Sequence, residues 1–258
     1  MTTRIAISGK GGVGKTTLAA LAVRYIARDL GRAVLAVDAD PNATLGTLLG
    51  VEVEATVADL REETLEKKDN IPSGMSKDRF VELRVQQSIA EHTGFDLLTM
   101  GRPEGPGCYC FVNNLLRRYL ERASSDYPFV IIDNEAGMEH LSRRTNSALD
   151  LLLVVAEPTV VGIDTAARIA RLAEGLPIAI KRAALVLNRV PPAGTSPQVQ
   201  ERLEAAGLPL VGNIPLDHEL LEASMAGRSL LELPDANPTY STLKEILAQE
   251  LGAPAAAR

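Results

Sequence analysis

Short apolar runs alternate with longer amphipathic stretches along most of the chain. Seven runs of four to six residues, rich in β-branched and aliphatic side chains, are typical of strands that are buried on both faces. The runs are Ile5–Ser8, Ala33–Asp38, Phe95–Met100, Phe129–Asp133, Leu151–Ala156, Ala183–Leu187 and Leu210–Ile214. The amphipathic stretches between them predict helices. These stretches are Lys15–Asp29, Asp78–His92, Phe111–Ser124, Gly162–Glu174, Pro197–Ala206 and Tyr240–Leu251.

The alternation of strand and helix predicts a parallel, doubly wound sheet. We therefore predict an α/β fold in which a mostly parallel sheet of about seven or eight strands carries helices on both faces. Right-handed crossovers bring the carboxyl ends of parallel strands to one edge, where ligands bind. The charged stretch Val51–Asp78 breaks the alternation, and it is predicted to be an excursion from the sheet or, alternatively, a solvated surface helix and loop.

A glycine-rich loop follows the first predicted strand. Residues 8–17 read SGKGGVGKTT, which places the pattern Gly-x-x-x-x-Gly-Lys-Thr of a P-loop NTPase between a strand and a helix. In this setting the backbone N–H groups converge on phosphate, and the start of the helix adds its positive dipole. We expect Lys15 to neutralise the β- and γ-phosphates and Thr16 to ligate Mg²⁺. The predicted ATP-phosphate contacts are Gly9, Gly11, Gly12, Val13, Gly14, Lys15, Thr16 and Thr17.

Two further predicted strands end in carboxylates at the same edge. The apolar run Phe129–Asp133 has the Walker B pattern, in which the aspartate, here Asp133, holds Mg²⁺ or its waters. The second strand ends at Asp38 and is followed by Asp40, and the alternation of side chains places these two carboxylates on one side. Asp38 could instead cap a helix.

The loop GKGGVGKTT resembles that of the deviant P-loop family, which includes MinD, ParA, the nitrogenase iron protein and the arsenite-pump ATPases. The resemblance implies Mg²⁺-dependent ATP hydrolysis by a nucleotide-sandwich homodimer, in which Lys10 reaches the partner's phosphates. Without that role, Lys10 would be an exposed surface lysine. The resemblance also implies that Asp40 orients or activates the attacking water and that Asp38 lies near the hydration shell of the Mg²⁺.

The resemblance extends to the ends of two late strands. In this family the corresponding places hold the adenine base, which implies base contacts for Asn188, Arg189 and Pro215. An amide is suited to adenine because it both donates and accepts hydrogen bonds. Pro215 could alternatively do no more than end its strand.

The two cysteines of the chain, Cys108 and Cys110, are separated by one residue just before a predicted helix. The helix N-terminus favours thiolates there. Two thiolates cannot complete a tetrahedral soft-metal site, but the four thiolates of two chains related by a two-fold axis can. Alternatively, the cysteines are inert small apolar side chains.

The segment GRPEGPGCYC at 101–110, taken with the phosphate loop, resembles the CooC-type ATPases that mature nickel-containing carbon monoxide dehydrogenase. This resemblance covers most of the chain. It implies that Cys108 and Cys110 of two subunits together bind Ni²⁺ or Zn²⁺. It further implies that ATP-driven rearrangement of the dimer delivers nickel to the carbon monoxide dehydrogenase apoprotein or to a related nickel enzyme.

Composition narrows the classes of partner. A chain of 258 residues with 46% hydrophobic content can form one core, so we expect residues 1–258 to be a single P-loop ATPase domain. The net charge of -6 and the pI of about 5.3 disfavour binding to nucleic acid or to an anionic membrane. We see no run of eighteen apolar residues and no cleavable signal, which leads us to expect a cytoplasmic protein.

Two other functions are compatible with the phosphate loop. A reductase like the nitrogenase iron protein would hold an iron–sulfur cluster, but that family takes its cysteines from two separate loops, whereas here they are adjacent in one segment. A positioning ATPase like MinD or ParA would bind membrane or DNA, which the acidic charge and the absence of a basic amphipathic C-terminal segment disfavour. The sequence therefore favours a metal-handling ATPase.

Overall fold

The computed structural model describes residues 2–60, 74–75, 77–102, 126–135, 148–176 and 178–252. Within these ranges the chain forms an eight-stranded sheet with the spatial order β3-β4-β2-β5-β1-β6-β7-β8. All neighbouring strands are parallel except β3 and β4. The strands are β1 Thr3–Gly9, β2 Val34–Asp38, β3 Ala90–His92, β4 Phe95–Thr99, β5 Phe129–Asp133, β6 Leu151–Ala156, β7 Ala183–Val190 and β8 Leu210–Pro215.

Helices connect the strands on both faces of the sheet. They are α1 Lys15–Arg24, α2 Leu45–Leu49, α3 Lys77–Gln87, α4 Val160–Glu174, α5 Pro197–Ala205, α6 His218–Met225 and α7 Pro238–Leu251. The predicted α/β fold with a mostly parallel, doubly wound sheet is therefore confirmed. Among the described helices, none is long and apolar enough to cross a bilayer.

The sheet separates two apolar cores. Ile5 and Ile7 of β1 point into a core that α1 and α7 close, whereas Ala6, between them, points into a core that α4 and α5 close. This alternation of side chains is what a strand with helices on both faces requires. It holds β1 rigidly at the centre of the sheet, directly before the phosphate loop.

Side-chain caps fix where four of the helices begin. The side chains of Thr159, Ser196, Asp217 and Asn237 each accept a hydrogen bond from a backbone N–H in the first turn of α4, α5, α6 and α7, respectively. Such caps satisfy N–H groups that have no partner inside the helix.

The structure corrects part of the element prediction. The helix predicted over Asp78–His92 was too long, because α3 ends at Gln87 and Ala90–His92 forms the edge strand β3. Gly94 has a φ of 87° and allows the tight turn by which β3 reverses into β4. Helices α2 and α6 were not predicted. The predicted helix Phe111–Ser124 lies outside the described residues.

Candidate nucleotide-binding site

Two glycines of the loop between β1 and α1, Gly9 and Gly14, cannot be replaced by another residue without strain. Gly9 has a φ of 155°, and a Cβ at this position would lie 2.3 Å from the backbone oxygen of Val155 on the neighbouring strand. Gly14, with a φ of 95°, is the residue before α1 and offers no side-chain cap to the first turn. The first N–H groups of α1 are therefore left for an external acceptor such as phosphate.

The two lysines of the loop have different environments. The Lys15 side chain is buried, and its Nζ donates a hydrogen bond to the backbone oxygen of Lys10 at 3.2 Å. This contact places the Lys15 ammonium against the phosphate loop, where it is predicted to neutralise the phosphates. Lys10 itself is exposed. Its predicted action on a partner's phosphates remains a prediction.

Asp133 is the most unusual carboxylate in the site. Its side chain is fully buried at the end of β5, and neither oxygen has a partner at hydrogen-bonding geometry among the described residues. Burial raises the pKa of Asp133 to about 7. The Thr16 hydroxyl lies near enough to lower this pKa, Asp38 and Asp40 raise it and Lys15 lowers it. A buried carboxylate without donors, next to a hydroxyl, fits the ligand set of a Mg²⁺ ion.

Asp38 lies beside Asp133 but has partners. The two residues are matched in register across β2 and β5. One Asp38 oxygen accepts a hydrogen bond from the Asp40 N–H at 3.2 Å, and the other accepts one from the Leu45 N–H at 2.8 Å, at the start of α2. These contacts are those of a helix-capping carboxylate. A role for Asp38 near the Mg²⁺ hydration shell remains a prediction.

Asp40 reaches the open side of the same edge. Its Oδ1 accepts hydrogen bonds from the backbone and side-chain nitrogens of Asn42 at 2.9 and 2.8 Å. These contacts fix the orientation of the carboxylate in the turn after β2. A role for Asp40 in orienting the attacking water remains a prediction.

An open cleft of about 410 Å³ contains eight of the predicted site residues. Its lining consists of Gly11, Gly12, Gly14, Lys15, Thr16, Thr17, Asp40, Asn42, Glu135 and Arg189. Asn42 and Glu135 were not predicted, although Asn42 follows Asp40 and Glu135 follows Asp133 by two residues, and that spacing was the available signal. A second cleft of about 480 Å³, between residues 50–55 and 87–92, contains none of the predicted residues.

The predicted base contacts are at the carboxyl ends of β7 and β8. The Asn188 amide is buried; its Nδ2 donates to the Val13 backbone oxygen at 2.8 Å, and its Oδ1 accepts from the Arg189 N–H at 3.0 Å. Arg189 forms an ion pair with Glu157 at 3.1 Å, a partner that the sequence did not reveal. Pro215 is the last residue of β8. The adenine contacts of these residues remain predictions.

The predicted soft-metal ligands Cys108 and Cys110 lie outside the described residues. In the ranges that the structure describes, no group of three or more His, Cys, Asp or Glu side chains is arranged to hold a metal ion.

A glycine loop between a central strand and a helix, a buried lysine, and an aspartate, Asp40, that follows a strand and lines the same cleft define a P-loop ATPase. Comparison with known proteins identifies the family. The family model for the CobQ/CobB/MinD/ParA nucleotide binding domain matches residues 5–230, so the chain belongs to this family.

Individual relatives cover nearly the whole chain. An uncharacterized ATP-binding protein of Methanocaldococcus jannaschii is 42% identical over 94% of this chain and 96% of its own length. The carbon monoxide dehydrogenase accessory protein CooC of Rhodospirillum rubrum is 33% identical over 90% of this chain and 91% of its own length. The cell division ATPase MinD of Pyrococcus furiosus shares the fold with a TM-score of 0.70 at 23% identity, over 98% of this chain and 99% of that one.

Proposed function

We propose that this ATPase is a metal-handling maturation factor that works as a homodimer and passes nickel to an enzyme such as carbon monoxide dehydrogenase. In this proposal residues 1–258 act as one cytoplasmic ATPase domain without nucleic-acid or membrane partners. Cys108 and Cys110 of two subunits hold Ni²⁺ or Zn²⁺ as cargo.

One combined observation carries the proposal. The chain has a Cys-x-Cys element at Cys108 and Cys110, and it is 33% identical, over nearly its whole length, to an accessory protein of carbon monoxide dehydrogenase. A pair of closely spaced thiolates supplies half of a tetrahedral soft-metal site, and a second copy of the chain supplies the other half.

The residues of the cleft define the hydrolytic step of the proposal. Lys15 and the N–H groups at the start of α1 hold the β- and γ-phosphates, while Lys10 approaches them from the partner subunit. Thr16 and Asp133 would hold Mg²⁺, which neutralises charge on the phosphates when it is bound. Asp40 orients the attacking water for in-line displacement. The Asn188, Arg189 and Pro215 positions receive the adenine base.

Closure of the dimer around ATP links the two sites. When Lys10 of each subunit engages the other subunit's triphosphate, the two protomers approach each other and the geometry of the shared thiolates changes. Hydrolysis removes the γ-phosphate that holds the protomers together and resets the metal site. The proposal therefore requires that metal content and oligomeric mass both depend on ATP.

The test measures nickel content, zinc content and oligomeric mass of the purified protein, with and without ATP and Mg²⁺. Wild-type protein should dimerise with ATP and bind one Ni²⁺ or Zn²⁺ per dimer. The double variant Cys108→Ser/Cys110→Ser should lose the metal and keep ATP binding. The matched control Ser224→Ala changes an exposed side chain of α6 and should behave as wild type. Unchanged nickel affinity and unchanged ATP-dependent dimerisation in the cysteine variant would refute the metal role.

A MinD- or ParA-like positioning function is the second candidate. The family match and the fold similarity to MinD favour it as directly as they favour a maturation factor. Such a protein would cosediment with lipid vesicles or DNA when ATP is present. A reductase like the nitrogenase iron protein would instead contain iron and show the visible absorption of an iron–sulfur cluster. Metal analysis, spectra and cosedimentation therefore separate the three functions.

A further inference from the structure

The Asn188 amide joins the base side of the cleft to the phosphate loop. Asn188 is near the end of β7, and Val13 is the loop residue two positions before Lys15. The Asn188 Nδ2 donates a hydrogen bond to the Val13 backbone oxygen at 2.8 Å. Both side chains are buried, so this oxygen has little access to water as a substitute donor.

Gly14 shows how closely the amide approaches the loop. A Cβ at Gly14 would lie 2.4 Å from the Asn188 Nδ2. The loop backbone at 13–14 is therefore in direct contact with the amide, just where Gly14 adopts a φ of 95° and α1 begins. A displacement of Asn188 would therefore shift the turn at 13–14, and this turn sets the direction of the first N–H groups of α1 and of the Lys15 side chain.

The other end of the amide is also fixed. Asn188 Oδ1 accepts a hydrogen bond from the backbone N–H of Arg189, a residue with a φ of 60°. A left-handed conformation is uncommon outside glycine and persists where surrounding contacts hold it. The amide is thus held between two backbone segments, and each of its ends keeps only one further hydrogen-bonding position.

We propose that Asn188 is a positioning residue for the triphosphate, which it serves by holding the Val13–Gly14 turn in its phosphate-binding shape. If Asn188 contacted only the base, its removal would change the affinity for a nucleotide by an amount that depends on the base. A residue that supports the loop affects every ligand that carries the phosphates, with or without a base. This inference rests on ATP binding at the loop, which the family establishes, and it is independent of the metal-handling proposal.

The test compares the binding of Mg²⁺·ATP, Mg²⁺·GTP and inorganic tripolyphosphate by calorimetry. Asn188→Ala should weaken all three by about tenfold, tripolyphosphate included, as expected for one buried hydrogen bond that supports the loop. Asn188→Asp should weaken them more, because a carboxylate oxygen would face the Val13 oxygen. Asn213→Ala, at an exposed asparagine on the neighbouring strand β8, is the matched control and should bind as wild type.

A second measurement needs no ligand. Hydrogen exchange of the loop amides at 10–16 should be faster in Asn188→Ala than in wild type and unchanged in Asn213→Ala. If Asn188→Ala does not fold, Asn188→Ser replaces it, because its hydroxyl is one bond too short to reach Val13. The proposal fails if loop exchange is unchanged, or if the variant loses ATP affinity and retains wild-type affinity for tripolyphosphate. Failure of the nickel experiment would leave these results unaffected.

Discussion

At the scale of single residues, the two lysines of the phosphate loop differ in burial. Lys15 is buried, and its ammonium is held over the loop by the Lys10 backbone oxygen. Lys10 is exposed. The two lysines thus differ in burial, and the proposed homodimer assigns them different roles, Lys15 within its own chain and Lys10 at the partner's phosphates.

Substitution of each lysine should therefore give a different result. Lys15→Ala should weaken ATP binding to one protomer and lower hydrolysis by at least about a hundredfold, because it removes charge stabilisation at the phosphates. Lys10→Ala should lower hydrolysis to a similar extent while a protomer still binds ATP. Calorimetry measures binding, and light scattering with ATP measures dimerisation. ATP-dependent dimers of Lys10→Ala with normal hydrolysis would contradict the action of Lys10 across a dimer.

The sequence predicted which residues reach the cleft better than it predicted what each one contacts. The loop glycines in the cleft, together with Lys15, Thr16 and Thr17, were identified from the motif, and Asp40 from its place just after a strand, whereas Arg189 was identified from the family resemblance. The partner of Asn188 could not be read from the sequence, because Val13 lies 175 positions away. The role of Asp38 was also ambiguous, because helix α2, whose first N–H group donates to Asp38, was not predicted.

At the scale of elements, caps decide where the short helices begin. Asp217 caps α6 through the Leu220 N–H at 3.0 Å and also accepts a hydrogen bond from the Thr239 hydroxyl at 2.8 Å, in α7. Burial would raise the pKa of Asp217, but the hydrogen bonds from Leu220, Thr239 and Asn237 outweigh it and hold the pKa below its usual value. One carboxylate therefore fixes the starts of two helices.

The Asp217 cap should make stability depend on pH. Because the pKa is lowered in the folded state, the stabilisation is fully present above about pH 4 and is lost as the pH falls through the lowered value. Asp217→Ala should reduce the free energy of unfolding by about 1 kcal/mol at pH 7, and by less at pH 3. Asp217→Asn keeps an acceptor without the charge and is the matched control. Urea denaturation at several pH values measures both, and a loss in Asp217→Ala that does not change with pH would argue against this.

Elements with long apolar runs or long periodic patterns were predicted from the sequence, whereas the short elements were missed. The seven runs all became strands, and six of these strands are mostly buried, whereas β8 at the edge of the sheet is largely exposed or half-buried. Strand β3 has only three residues, and its pairing with β4 depends on the turn at Thr93 and Gly94 rather than on any pattern of its own. Helix α6 has eight residues, and its one sequence signal was Asp217 before it.

At the scale of the whole molecule, Arg24 attaches the phosphate-loop helix to the C-terminal helix. Its buried guanidinium donates to the Leu230 backbone oxygen at 3.3 Å and to Asp235 at 2.6 Å. It also lies 4.0 Å from the centre of the Tyr240 ring in α7. Through its hydrogen bonds and its stacking on Tyr240, the Arg24 guanidinium connects α1 to the segments 230–235 and 238–251.

Removal of this contact should destabilise the whole fold. Arg24→Ala should lower the free energy of unfolding by about 3 kcal/mol, because it removes a buried side chain together with its hydrogen bonds. Arg28→Ala is the control; Arg28 is largely exposed and lies 3.7 Å from the same carboxylate, so its loss should change stability by less than about 0.5 kcal/mol. Equal effects of the two variants in urea denaturation would show that Arg24 has no special role.

The central position of β1 in the sheet affects the order in which its strand pairs can form. Thr3 pairs with Phe129 on β5, and Ile5 pairs with Leu151 on β6. Both neighbours of β1 therefore come from segments that lie far along the chain from it, so β1 cannot pair until those segments have been made. A nascent chain that stops before Leu151 carries the complete glycine motif on a strand with an open edge. We therefore expect ATP to stabilise the glycine loop only in chains that already contain β6, because Gly9 packs against the Val155 backbone of that strand.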